Sequence, residues 1–199
     1  EVLAGALPQF IASIHFEKPM RWNASSVAFS RPIRWLLALF GGQVIPFEYA
    51  GLHSGTMTRG LRFHDGDGSQ TDNITGSFPI KSAADYFNIM AAEGIILDPE
   101  ERRQAIILQM QPLMAEVGGK FDYSSKLLEE VTQLVEAPTA FRGSFEPERL
   151  SLPQDVLVSV MQKHQRYFPV WDQNGNLLPY YIGVRNGGTN HLDTVADGN

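Results

Sequence analysis

The amino-acid sequence predicts an α+β fold, in which a mixed β-sheet is covered by helices. Helical and strand patterns alternate along the chain in unequal lengths, and hairpin patterns lie near both ends. Hydrophobic residues make up 43% of the 199 positions, which is enough to bury a substantial core. This length allows one large domain or two small ones, and the chain contains no internal repeat and no low-complexity linker.

The N-terminal third begins with a helical pattern and continues into strand patterns. From Leu7 to Ile14 the apolar spacing is helical, with Pro8 tolerated in the first turn. A strand is predicted from Val27 to Phe29. The segment from Leu52 to Phe63 is rich in Gly, Ser and Thr and predicts a loop that enters a strand at Thr58. Residues 64–69 predict a turn-rich tip.

A hairpin is predicted around Gly41 and Gly42. Its arms would run from Ile33 to Phe40 and from Val44 to Tyr49, because paired glycines accept the backbone angles of a tight turn. A helix remains the alternative over Arg34 to Phe40, since Leu and Ala favour helices.

The middle of the chain has clearer helix boundaries. Ser82 and Asp85 resemble a capping box, so a helix is predicted from Ala83 to Glu93. Asp98 and Pro99 open a second helix, which is expected to reach Val117 with a kink at Pro112. The other predicted elements of this part are a strand from Ile95 to Leu97, a helix from Ser125 to Val135, a strand from Ala140 to Ser144 and a helix from Pro153 to Lys163.

The C-terminal region predicts a hairpin with an unusual density of basic and aromatic residues. Its strands would run from Arg166 to Trp171 and from Leu178 to Val184, joined by a turn at Asn174-Gly175. Cations hold phosphates and aromatic faces hold unstacked bases, so this combination suits RNA better than a small metabolite. The candidate RNA-binding residues here are Lys163, His164, Arg166, Tyr167, Arg185 and Asn186.

Structural explanations of the same residues stay open. Lys163 and His164 fall at a predicted helix C-terminus, where the helix dipole favours cations. Arg59 and Arg62 are further RNA candidates in the N-terminal third, but strand alternation gives them opposite faces unless the strand bends at Gly60. Arginines next to Trp22 and Trp35 also allow cation-π packing.

Composition narrows the functional classes. The absence of cysteine excludes disulfides, thiolate catalysis and thiolate zinc sites. No apolar run approaches the ~20 residues of a membrane span, and no signal peptide is present, so a cytoplasmic protein is expected. The net charge is -6, with acidic residues concentrated between residues 65 and 160. RNA contact is therefore expected at the two ends of the chain and to be weak for this region by itself.

Catalytic and metal-binding motifs are not found. The five histidines, which lack helical zinc spacing, are His15, His53, His64, His164 and His191. Gly187-Gly188-Thr189 lacks the lysine of a phosphate loop, and there is no Gly-x-Ser-x-Gly elbow. Glu129, Glu130 and Glu136 are interpreted as a solvated helical face. A hydrolase that activates water with a single Glu or His would leave no local motif, so this alternative stays open.

Four collinear blocks of the sequence carry a family resemblance. They run from Met20 to Gly42, from Thr58 to Phe63, from Leu127 to Phe145 and from Met161 to Gly187. Together they resemble the beta subunit of the tetrameric, bacterial-type glycyl-tRNA synthetase, and the likeness extends over nearly the whole chain. The region also looks like the B3/B4 module of the phenylalanyl-tRNA synthetase beta subunit, although a shared fold does not transfer its editing reaction.

The resemblance implies a division of labour. The class II catalytic centre, with ATP, magnesium and glycine, would lie on an alpha subunit or alpha-like region, and this domain would carry neither a catalytic residue nor a cofactor. Its partners would be tRNA for glycine, the alpha part and other beta domains, with no membrane. The chain would be one B3/B4-like domain excised from a longer beta chain. Supporting tRNA binding, editing mischarged tRNA and a purely architectural role are the three functional hypotheses.

Overall fold

A computed structural model describes residues 1–61, 77–122, 126–189 and 192 of the chain. The α-helices of this part are α1 (Val2–Ser13), α2 (Tyr86–Ala92), α3 (Pro99–Ala115), α4 (Lys126–Leu134) and α5 (Gln154–Ser159). Short 3-10 helices span Ala83–Asp85 and Pro147–Ser151, and a π-helix spans Val160–Gln165. The strands are β1 (Leu36–Leu37), β2 (Leu39–Phe40), β3 (Gln43–Val44), β4 (Glu48–Tyr49), β5 (Leu52–Gly55), β6 (Met57–Arg59), β7 (Ser77–Pro79), β8 (Pro138–Ser144), β9 (Phe168–Trp171) and β10 (Leu177–Asn186). The fold is α+β, as predicted.

The described residues group into two compact units. The first comprises residues 1–60 and 77–93, and the second comprises residues 61, 94–122, 126–189 and 192. The assignment of residues 1–199 to a single domain stays a prediction.

The first unit contains several small sheets instead of one large sheet. The predicted turn at Gly41 and Gly42 joins β2 to β3, with Leu39 opposite Val44. Beyond this hairpin the two arms separate, because β1 pairs in parallel with β5 and β4 pairs with β5 in the antiparallel sense. The helix alternative for this segment is therefore wrong. The loop prediction that began at Leu52 is also wrong over β5, whose pairing with distant strands cannot be read from local composition.

The helices of the first unit differ from their predicted limits. The first helix, α1, begins at Val2 and not at Leu7, so Pro8 lies inside it. No residue of α1 is buried. The predicted helix near Ser82 is present, with Ser82 Oγ accepting a hydrogen bond from the Ala84 amide, but its first turn is 3-10 helical. The strand predicted from Val27 is reduced to one bridge between Met20 and Phe29.

The second unit is organised around an antiparallel sheet in the order β8-β10-β9. Helices α3 and α4 cover one face of it, because their apolar residues face the same core as alternate residues of the strands. This core contains Ile106, Met110, Met114, Leu128, Val131, Phe168, Val170 and Ile182. Asp98 caps α3 by accepting hydrogen bonds from the amides of Glu100 and Glu101 at 2.8 and 2.9 Å, as its sequence predicts.

The opposite face of the sheet packs against α5 and the π-helix. Met161 meets Phe141, Leu177 and Tyr181 in a second buried cluster. The helix predicted to continue to Lys163 instead widens into the π-helix at Val160. Its C-cap, Arg166, adopts a left-handed conformation with φ 57°.

Two further predictions about the second unit are corrected. The residues from Ile95 to Leu97 form no strand; Ile95 is buried, and the Ile96 amide donates to the Glu136 carbonyl at 2.8 Å. This apolar segment therefore lies in irregular structure, where the Ile96 amide bonds to Glu136 and the Ile96 carbonyl accepts from Arg102 Nη1 at 2.6 Å in place of the ladder of a sheet. The strand predicted from Ala140 begins at Pro138. The tip at residues 64–69, together with residues 123–125, lies outside the described residues.

No helix in the described ranges combines the length and apolar character that crossing a bilayer requires.

Candidate nucleic-acid interface

The predicted RNA-binding segment is built on the end of the π-helix. Arg166 leaves the π-helix in the left-handed conformation, which is uncommon and costly for a residue with a side chain. Its Nε donates to Glu130 Oε1 at 2.8 Å, and its Nη1 donates to the Lys163 carbonyl. These bonds hold the turn and direct Tyr167 onto the sheet. Much of Arg166's hydrogen-bonding capacity therefore serves this turn.

Lys163 and His164 lie in the last turn of the π-helix with exposed side chains. Among the ion pairs of the described residues, none involves either side chain. Their position at a helix C-terminus agrees with the structural explanation, since the dipole favours cations there. The same exposure leaves Lys163 able to reach a phosphate.

Tyr167 belongs to an aromatic stack more than to an exposed surface. Its ring lies parallel to that of Tyr181, with 4.4 Å between centroids and 11° between planes. It also makes an edge contact with Phe141 at 6.4 Å. Burial, followed by the neighbouring Tyr181, raises the pKa of Tyr167 above the usual 10.0. The phenol therefore stays neutral at physiological pH.

Arg185 and Asn186 lie at the end of β10. The antiparallel register places Phe168 opposite Ile182, so the start of β9 and the end of β10 share one end of the sheet. The two groups of predicted residues therefore lie at the same end of the second unit. Asn186 Oδ1 accepts hydrogen bonds from the amides of Glu136 and Ala137 at 2.9 and 2.8 Å, which gives this side chain a structural task.

Of the two N-terminal candidates, Arg59 belongs to the first unit, whereas the other candidates described above belong to the second unit. Arg59, in the first unit, is half-buried, and its Cζ lies 5.2 Å from the centroid of the Trp35 ring. Trp35 therefore makes a cation-π contact, and its partner here is Arg59, which is distant from it in the sequence. Arg62 lies outside the described residues.

Glu130 and Tyr181 contact predicted RNA-binding residues, and the sequence analysis did not connect either of them with that segment. Glu130, which was interpreted as part of a solvated helical face, keeps 46% of its side chain exposed and also pairs with Arg166 across 36 positions of sequence. Tyr181 lies within the strand predicted from Leu178 to Val184, and alternation along β10 places it on the face that receives Tyr167. Both contacts depend on the tertiary fold. Of the two, only the Tyr181 contact has a local signal in the sequence, which is the alternation of side chains along β10.

A groove lies beside the tyrosine stack and has a volume of about 940 Å³. Its walls come from β8, the 3-10 helix Pro147–Ser151, α5 and the π-helix. We refer to it as the tyrosine groove, and its defining residues are Phe145, Arg149, Val160, Gln165, Tyr167 and Tyr181. The groove is open to solvent, and its lining combines apolar side chains with Ser144, Glu146, Arg149 and Gln165.

Other features of the described residues add no catalytic constellation. No group of three or more His, Asp and Glu within the described ranges is arranged to hold a metal ion.

Asp172 accepts hydrogen bonds from the side chain of Asn176 and from the amides of Asn174 and Asn176, and these bonds lower its pKa. Asp172 thus fixes the β9-β10 turn that the sequence predicted at Asn174-Gly175.

The chain is similar to known proteins over its whole length. The family model described as "Glycyl-tRNA synthetase beta subunit" matches residues 1–199. A glycine–tRNA ligase beta subunit from Moorella thermoacetica is 43% identical over 198 residues, covering 100% of this chain and 27% of the relative. The corresponding Bacillus subtilis protein is 44% identical over 193 residues, covering 97% of this chain and 27% of the relative. The chain therefore spans about a quarter of the length of these curated relatives.

Proposed function

Since this chain belongs to the glycyl-tRNA synthetase beta subunit family, we propose that it is a non-catalytic part of such a synthetase that supports tRNA binding. Charging tRNA with glycine in the cytoplasm would be the activity of the complete enzyme. ATP, magnesium and glycine would bind an alpha subunit or alpha-like region, while this region and other beta domains hold the tRNA.

The observation that carries this proposal is the exposed basic end of the π-helix. Lys163 and His164 project into solvent beside Arg166, and Arg185 approaches the same end of the sheet through the register of β10. This is the kind of local positive surface that binds phosphates even when the net charge of the chain is negative. Because Arg166 is bonded to Glu130, we assign the principal phosphate contact to Lys163.

The test is the effect of Lys163→Ala on tRNA binding by the complete synthetase. Removal of one phosphate-binding cation should reduce the slope of log affinity against log salt concentration by about 0.9. We expect a weakening of several-fold at low salt and a shallower slope, measured by filter binding over a series of KCl concentrations. Lys126→Ala is the matched control, because Lys126 is an exposed lysine of the same unit at the start of α4.

An unchanged affinity and slope for Lys163→Ala would remove this end of the sheet from the interface. Equal losses for Lys163→Ala and Lys126→Ala would indicate a general charge effect and would contradict the assigned contact. The architectural hypothesis predicts a different outcome, in which reversing charges in the acidic middle of the chain impairs assembly and leaves the salt slope unchanged.

A further inference from the structure

The tyrosine groove has an aromatic floor that the phosphate contacts of the proposed function do not use. Tyr181 lies over Gly143, since a Cβ added to this glycine would be 2.2 Å from Cζ of the ring. Tyr167 stacks on Tyr181 in parallel, and both rings line the groove. Tyr181 is only 5% exposed, so its part is to support Tyr167, and the partly buried ring of Tyr167 is a pre-ordered aromatic surface in the groove.

Polar groups stand at the edge of this floor. Ser144 and Gln165 line the groove and carry side-chain donors and acceptors. Arg149 lies on the wall formed by the 3-10 helix and pairs with Glu146 at 3.1 Å. An aromatic floor with a few polar groups at its rim is the usual composition of a site for a planar heterocycle. The volume of about 940 Å³ is ample for a nucleotide.

The groove is continuous in sequence with the basic end of the π-helix. Gln165 and Tyr167 line it, while Lys163 and His164 occupy the exposed turn immediately before them. A nucleotide with its base in the groove would therefore have cations near its phosphate. The π-helix and the left-handed Arg166 position both groups, and such irregular backbone is common at binding sites.

We propose that the tyrosine groove receives one unstacked base of the bound tRNA, with the base against the ring of Tyr167, which Tyr181 supports from within the sheet. This inference rests on the proposed function. It takes tRNA binding at the basic end of the π-helix as given and names the part of the tRNA that would be held there. A protein segment that inserts apolar side chains between Leu152, Val156 and Val160 is the competing occupant. The adjoining cations favour the nucleotide, since an apolar segment gains nothing from them.

The experiment fills the groove without removing its floor. Val160 lines the groove and is 47% exposed, so Val160→Trp places a ring in the space while leaving Tyr167 and Tyr181 intact. Leu108→Trp is the matched control, because Leu108 is 65% exposed on α3, which covers the other face of the sheet. The complete synthetase carrying either change is tested for tRNA affinity over a series of salt concentrations, with a thermal melt of each variant.

Loss of one stacked base should weaken tRNA binding by roughly 5- to 100-fold. We expect this loss for Val160→Trp, an unchanged salt slope because no phosphate contact is removed, and wild-type affinity for Leu108→Trp. Ultraviolet cross-linking of wild-type enzyme to tRNA should also join RNA to the peptide that contains Tyr167. If Val160→Trp lowers the melting temperature, Val156→Trp, one turn earlier and 52% exposed, replaces it.

Wild-type affinity for a folded groove-filling variant, with no cross-link at Tyr167, would overturn the base-binding inference. If Lys163→Ala still weakened tRNA binding in that case, the proposed function would stand without the base-binding inference. If neither Lys163→Ala nor Val160→Trp affected tRNA, both would fail. Impaired assembly of the enzyme with unchanged tRNA affinity would assign the groove to a protein segment and would equally reject the base.

Discussion

At the scale of single residues, Arg102 shows how much structure one side chain can organise. It is only 8% exposed, and its Nε donates to the Thr132 carbonyl at 2.7 Å. Its Nη1 donates to the Ile96 carbonyl at 2.6 Å. Thr132 belongs to the last turn of α4, where carbonyls lack intrahelical partners, so Arg102 closes the end of this helix and anchors the irregular segment before α3.

Replacing Arg102 with Met should destabilise the chain by about 3 kcal/mol, because buried carbonyls would lose charge-assisted hydrogen bonds. Urea unfolding followed by circular dichroism measures the change. Arg149→Met is the control, since Arg149 makes an exposed ion pair with Glu146 and should cost at most about 1 kcal/mol. A loss for Arg102→Met no larger than that of the control would show that water replaces these bonds at no cost.

At the scale of elements, the sheet of the second unit pairs aromatic residues with glycines across strands. Tyr181 is opposite Gly143, and Phe141 is opposite Gly183. A Cβ on Gly183 would lie 2.3 Å from Cζ of Phe141, so both glycines are required by ring packing and not by backbone conformation. The aromatic rings cover the bare glycine backbone, and the tyrosine stack is built on this arrangement.

Gly143→Ala should therefore destabilise the chain by about 1–3 kcal/mol through overpacking against Tyr181. Gly55→Ala is a suitable control, because Gly55 also lies in a strand, β5, and a Cβ there would meet nothing within 4 Å. Thermal unfolding of the two variants provides the comparison. Similar stability of both variants would mean that the Tyr181 ring shifts freely, and the ordered floor of the groove would then lose its basis.

Elements with strong local patterns were predictable, and those that depend on distant partners were not. Asp98-Pro99 and Asn174-Gly175 marked the start of α3 and the β9-β10 turn correctly, because capping and turn formation use neighbouring residues. The strand β5 was missed, since its identity comes from pairing with β1 and β4. The π-helix was missed for a related reason: nothing in the local pattern of α5 marks the widening that begins at Val160.

The candidate interface shows the same difference between local patterns, which were predictable, and contacts with distant residues, which were not. The sequence located a basic and aromatic segment, and the structure places Lys163, His164, Arg166 and Tyr167 on one turn. It did not reveal that Glu130 bonds to Arg166 or that Tyr181 supports Tyr167, because these partners lie on other elements. RNA contact by these residues stays a prediction.

At the scale of the whole molecule, the two units differ in how much apolar surface they bury. Among the described residues of the first unit, the buried hydrophobic side chains are Ala50, Ile80 and Met90. The second unit contains both hydrophobic clusters, on the two faces of its sheet. Local stability follows the density of buried apolar contacts, so the units should not open with equal ease.

Hydrogen exchange followed by mass spectrometry should reveal this difference in the 199-residue chain. We expect amides of β8 and β10 to exchange at least about tenfold more slowly than those of β2 and β3, since the latter form a short, isolated hairpin. Equal protection of the two sets would contradict the difference and would indicate that the units unfold together.

The bonds from Asn186 to the amides of Glu136 and Ala137 join the last residue of β10 to the exit of α4, about fifty positions earlier. These bonds extend the ladder between β8 and β10, which closes the segment between them, including the π-helix and the tyrosine groove, into a loop. A truncation that stops before residue 186 would remove the side-chain acceptor of the Glu136 and Ala137 amides at the outer end of this ladder. A shorter version of the second unit made for binding studies should therefore retain Asn186, even though Tyr181 is the last groove-lining residue along the chain.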